Sequence, residues 1–152
     1  MSTTNPQGFL REEMARKRAL DDLKETLVKR VAEFLPEGEK LPKELGYNQV
    51  KNLLPLTSMA ATPREITAFI EYQMGRDEKA KGWSGPFRGQ RFGDALLSEI
   101  TEVQRLAQAK REDDNAFALT VLAQFFGFLA WRAKYTESKK ENRTQGGDTG
   151  GR

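Results

Sequence analysis

The chain has 152 residues, 25 Lys and Arg against 22 Asp and Glu for a formal net charge of +3, and neither histidine nor cysteine. That length suits one domain and is short for two. The two missing residue types exclude disulfides, thiol nucleophiles, thiolate or histidine metal sites, and Ser-His-Asp or Cys-His catalysis. Carboxylate, lysine or tyrosine chemistry and a carboxylate-bound Mg²⁺ stay open. With 38% hydrophobic and 31% charged residues, the chain is expected to fold around a modest core beneath a well-solvated surface.

Residues 1–8, MSTTNPQG, have neither the basic start nor the apolar run of a signal peptide and read as a flexible N-terminus of a cytoplasmic protein. A first helix is expected from about Phe9 to Leu35, where Leu20, Leu23, Leu27, Val31 and Phe34 recur every three or four residues and so share one stripe. Pro36 and Gly38 stop it, and PEGEKLPKELG forms a turn-rich connection. A short helix is expected around Tyr47–Leu54, ended by Pro55. Thr62, Pro63 and Glu65 then supply an N-cap, a first-turn proline and a capping-box acid. Ile66, Phe69, Ile70 and Met74 line one face of the helix that follows, which Gly75 is expected to close in left-handed geometry.

A fourth helix is expected over Phe92 to about Arg111, buried through Leu96, Ile100, Val103 and Ala107. Asp113, Asp114 and Asn115 are candidate caps for a fifth, from Ala116 to about Lys134. Its apolar residues, Trp131 among them, point all round the axis, as in a helix packed by others on every side. Thr120, Gln124, Gly127 and Arg132 interrupt or end the apolar run, which speaks for a buried helix rather than a membrane span. From Glu137 onward no large apolar residue remains, so residues 137–152 read as a disordered tail. The expected fold is all-α: one domain over residues 9–136, a compact bundle of about five helices.

The connection Gly75–Gly93, GRDEKAKGWSGPFRGQRFG, stands apart. Its five glycines and one proline argue against regular structure, and its net charge of +3 is the whole of the chain's basic excess. Arg76, Lys79, Lys81, Arg88 and Arg91 are interleaved with Trp83, Phe87 and Phe92. Cations at this density can neutralise phosphates, and aromatic faces can stack on unpaired bases. The same aromatics can equally fold back to cover the end of the bundle. In the first helix, Arg16, Lys17 and Arg18 are locally unopposed and could extend a phosphate-tracking surface. Most other charges there are balanced at helix-stabilising spacing, as with Glu25 and Lys29. No carboxylate pair converges and no phosphate-cradling glycine motif occurs, so neither a catalytic residue, a metal site nor a cofactor is expected.

LTSMAATPREITAFIEYQ (Leu56–Gln73) resembles the Thr-x-x-Gln/Glu-Ile-x-x-Phe helix start in the small subunit of Csm-type CRISPR effectors. AFALTVLAQFFGFLAWRAKYTE (Ala116–Glu137) is similar to the aromatic-rich closing helix of the Csm- and Cmr-type small subunits. YNQVKNLLP (Tyr47–Pro55) followed by ITAFIEYQMG fits the Cmr-type order of elements. The resemblance covers roughly residues 47–75 and 116–137 and has no counterpart for 75–93. It implies a non-catalytic subunit of a type III effector ribonucleoprotein. Several copies would stack along the guide RNA–target RNA duplex beside sister subunits, through basic surface residues on the backbone. The residues named for those contacts (Arg76, Lys79, Lys81, Arg88, Arg91, Arg16, Lys17 and Arg18) rest on charge alone. The alternative expectation is a protein–protein adaptor in which the basic loop only solubilises.

Overall fold

The computed structural model describes residues 5–77 and 79–149, with side chains through Lys139. It is all-α apart from one small hairpin. Helix α1 spans Pro6–Phe34, earlier than the expected start at Phe9. Asn5 caps it by accepting a hydrogen bond from the Gln7 N–H, and Pro6 occupies the first turn, where its missing N–H costs nothing. Of the expected flexible stretch, then, residues 5–8 are ordered into the helix start, while 1–4 lie outside the described residues. The expected stripe is the buried one: Leu23, Leu27, Val31 and Phe34 face the core and Leu20 packs against it.

The short helix expected around residues 47–54 is two helices, α2 (Tyr47–Lys51) and α3 (Leu53–Met59). Pro55 does not end α2; it sits in the first turn of α3, where no backbone donor is required of it. Helix α4 (Pro63–Arg76) starts as its sequence foretells, with the Glu65 carboxylate accepting from the N–H groups of Ala61 and Thr62. It runs through Gly75, which keeps ordinary helical geometry, and ends at Asp77. A two-stranded antiparallel hairpin, β1 (Pro86–Phe87) and β2 (Gln90–Arg91), occupies the connection expected to lack regular structure. Helix α5 (Phe92–Lys110) follows.

Helix α6 (Asn115–Thr149) packs against each of the other five helices. Asp114 is its N-cap, accepting from the Phe117 N–H at 3.0 Å. The helix carries described side chains through Glu137, Ser138 and Lys139, past the expected boundary at 136. The side chains of the remaining expected tail, 140–152, lie outside the described residues. Between Asn115 and Lys139 the helix is long and apolar enough to span a membrane. Most of that apolar surface is taken up in the core, where Phe117, Val121, Leu122, Phe125, Phe126 and Leu129 are buried. Trp131, 69% exposed, and Tyr135 one turn on are exceptions.

Cross-links between helices fix their directions. Arg16 of α1 bonds Asp114 at the start of α6, and Arg132 far along α6 donates to the Leu35 carbonyl at the end of α1. Helices α1 and α6 therefore run parallel. Helix α5 runs back between their ends, linked to α1 by Arg30–Glu99 and by Lys110–Asp22. The 77–91 connection, the 36–46 connection and the far half of α6 consequently meet at one pole, where the Glu44 N–H donates to the Lys81 carbonyl at 2.9 Å.

Candidate nucleic-acid interface

At this pole the aromatics of the 77–91 connection serve the core. Trp83, Phe87 and Phe92 are buried, and Phe34, Phe87 and Phe92 pack ring to ring at 5.1–5.9 Å. The loop is held from within by Asp77, whose Oδ2 accepts from the N–H groups of Gly82 and Ser84, both at 2.9 Å. The Ser84 N–H, then those of Gly82 and Lys81 acting against burial, hold the Asp77 carboxyl below the ordinary range.

The candidate cations have unequal freedom. Arg88 donates through one nitrogen to the carbonyls of Glu33 (2.9 Å) and Phe34 (3.2 Å), so it closes the end of α1. Arg91 pairs with Asp94 at 2.8 Å, Lys17 with Asp21 at 3.1 Å, and Arg16 with Asp114 at 3.0 Å. Arg76 lies 5.8 Å from the Tyr72 ring centroid. Only Lys79, half-buried Lys81 and Arg18 have no side-chain partner among the described residues. The structure also separates the two proposed groups. Arg16–Arg18 lie near the start of α6, and the 77–91 loop lies at the far end of α1, about 25 Å away along that helix.

A second group, absent from the sequence expectation, adjoins the loop. Tyr47 opens α2 only three residues beyond Glu44, and its N–H donates to Glu137 of α6 at 2.8 Å. Lys51 and Lys134 each place Nζ 5.6 Å from the Tyr47 ring centroid, and neither has a carboxylate partner among the described residues. Trp131 and Tyr135, one helical turn apart, lie beside them; with Tyr47, Lys134 and Ser138 they line a shallow open depression. Phe128 supports the Trp131 ring from the previous turn, 5.5 Å between centroids. Arg132 and Lys139 lie 5.3 and 5.4 Å from the Tyr135 ring. The signal in the sequence was Trp-x-x-Lys-Tyr at the end of the apolar helix, hidden because that helix reads as apolar all round.

The arrangement presents cations and exposed ring faces together, the two elements that bind a phosphate backbone and its bases. Among the described residues no three carboxylates gather as a metal site would require. No protein-family model, curated protein or solved structure matches the chain.

Proposed function

We propose that this protein is a non-catalytic RNA-binding subunit of a larger ribonucleoprotein, the role implied by its resemblance to the type III CRISPR small subunits. In that role several copies line a guide RNA–target RNA duplex beside sister subunits. One observation carries the reading: Lys134 lines the depression that exposes Trp131 and Tyr135, Lys51 stands with it at the Tyr47 ring, and neither these two nor Lys79 and Lys81 of the adjoining loop have a carboxylate partner among the described residues. A lysine whose ammonium has no carboxylate partner has its charge available for phosphate. Arg88, Arg91, Arg16 and Lys17 contribute less, because a phosphate would have to compete with carbonyls or carboxylates already in place.

Binding is expected to be sequence-independent and to weaken steeply as salt rises. Replacing Lys51, Lys79, Lys81 and Lys134 together by glutamine should reduce RNA affinity at least tenfold at moderate salt and flatten its salt dependence. A quadruple variant that binds RNA like the parent protein would refute the assignment.

A second reading has its own support. The first turns of α1 expose Phe9, Leu10 and Met14, each more than half accessible, beyond the part of the helix that meets the core. An adaptor would use such a surface on a partner protein. Under that reading the isolated protein ignores RNA even at low salt and captures one protein stoichiometrically.

A further inference from the structure

Of the exposed apolar residues, Trp131 differs from the rest in its surroundings. Its ring is held by Phe128, which itself packs against the core, so it is presented rather than free to fold away. Tyr135 continues the same face one turn on, at the spacing that makes helical neighbours. Around these rings stand Lys51, Arg132, Lys134 and Lys139. The nearby carboxylates are already engaged, Glu137 by the Tyr47 N–H and Glu37 by Lys139.

A protein partner seated on Trp131 would need to supply anions for Lys51 and Lys134, which have no carboxylate partner among the described residues. A nucleotide brings them within itself: a π-face for the ring and a phosphate for the ammonium. We infer that the Tyr47–Trp131–Tyr135 depression binds an unpaired nucleotide of single-stranded RNA. The base stacks on Trp131, and Lys134 and Lys51 take the adjoining phosphates. Every base has a π-face, so the site accepts any sequence. It rejects a base locked inside a duplex, whose faces are covered by its neighbours. The inference rests on the RNA-binding reading above: the lysines of that reading meet phosphates of paired and unpaired strands alike, and the ring adds a preference for an unpaired nucleotide.

The two tryptophans make the test direct, because Trp83 is buried and Trp131 exposed. In a Trp83→Phe background the remaining indole fluorescence reports position 131. The probes are a single-stranded oligouridylate of about 12 nucleotides and a blunt RNA duplex of matching length. The expected result is strong quenching by the single strand, little by the duplex, and a loss of roughly 5- to 100-fold in single-strand affinity on Trp131→Ala, with Trp131→Phe retaining most of it. Exposed Trp131 can be replaced without disturbing the core, whereas Trp83→Phe alters a buried ring packed on Phe69 and Phe92; unchanged circular dichroism and melting of the background protein and its variants verify the fold.

Lysine-dependent RNA binding without quenching, and unaffected by Trp131→Ala, would overturn the stacking site and leave the RNA-binding reading intact. Equal quenching by the duplex would overturn the preference for unpaired strand. Failure of the protein to bind either RNA would overturn both readings together. If Trp131→Ala abolished self-association instead, the occupant would be a second copy of the chain and the inference would be wrong.

Discussion

Arg88 sits at φ +51° and Gly89 at φ +82°, the two central positions of the tight turn joining β1 and β2. Such turns favour Asn or Gly, because a side chain in left-handed geometry costs about 1 kcal/mol or more. Here the arginine is offset by its bonds to the last carbonyls of α1. Arg88→Ala, which keeps the strain and loses the bonds, should destabilise by about 1–2 kcal/mol; Arg88→Gly should lose less. Denaturant unfolding of the pair checks the order. Asp114 illustrates the same division of labour. Burial alone would raise its carboxyl, but hydrogen bonds from Arg111, the Phe117 N–H and Arg16 hold it at about 2. A carboxyl lowered on folding stabilises above its ordinary value near 3.8 and loses that contribution as pH falls toward 2. Asp114→Asn keeps the helix cap but removes the charge. Acid melting curves of the two proteins should therefore converge between pH 4 and 2 after differing by roughly 1–2 kcal/mol near neutrality. The Asp114 cap was legible in the sequence, but the long-range partnerships were not, since Arg16 and Asp114, or Arg88 and Glu33, meet only once the helices are packed.

At the scale of elements the sequence was far more legible. The stripe Leu23–Leu27–Val31–Phe34, the Thr62–Pro63–Glu65 start and the Asp114 cap all appear where periodicity and capping chemistry put them. The expectations that shifted share a cause. Pro55 reads as a stop and Gly75 as a terminus only if each residue is weighed alone; Pro55 falls in the first turn of a new helix, and α4, buried through Met74, continues one residue past Gly75. The hairpin was hidden by its shortness, two residues per strand, too few for alternation to register. Gly93 is a better guide to why the loop closes as it does. It is buried at the second position of α5, donates to the Trp83 carbonyl at 2.7 Å, and would drive a Cβ into the Met74 side chain. Gly93→Ala is expected to cost about 1–3 kcal/mol in chemical denaturation. Adding Met74→Ala should make the combined loss smaller than the sum of the single losses; strict additivity would show the two do not meet.

Over the whole molecule, α6 is the axis on which the other helices assemble, and one continuous core runs through it. Amide exchange should accordingly be slowest around Val121–Phe126 and approach the global unfolding limit there. Faster exchange in that stretch than in α4 would contradict the packing. The candidate interface was half legible at this scale: its loop was marked by charge, whereas the Tyr47–Lys134–Trp131 group exists only because α2 and α6 are brought together from opposite halves of the chain. The parallel course of α1 and α6 also has an electrostatic consequence. The negative end of the α1 macrodipole lies at the basic pole, and Arg88 and Arg132 are its counter-charges, bound to the carbonyls of residues 33–35. On the RNA-binding reading, replacing either arginine would loosen the connection that carries Tyr47 into place and weaken binding without removing a phosphate contact. The logarithmic slope of affinity against salt tells the two kinds of loss apart. It should fall by about one for each of Lys51 and Lys134 and stay at the parental value for Arg88 and Arg132.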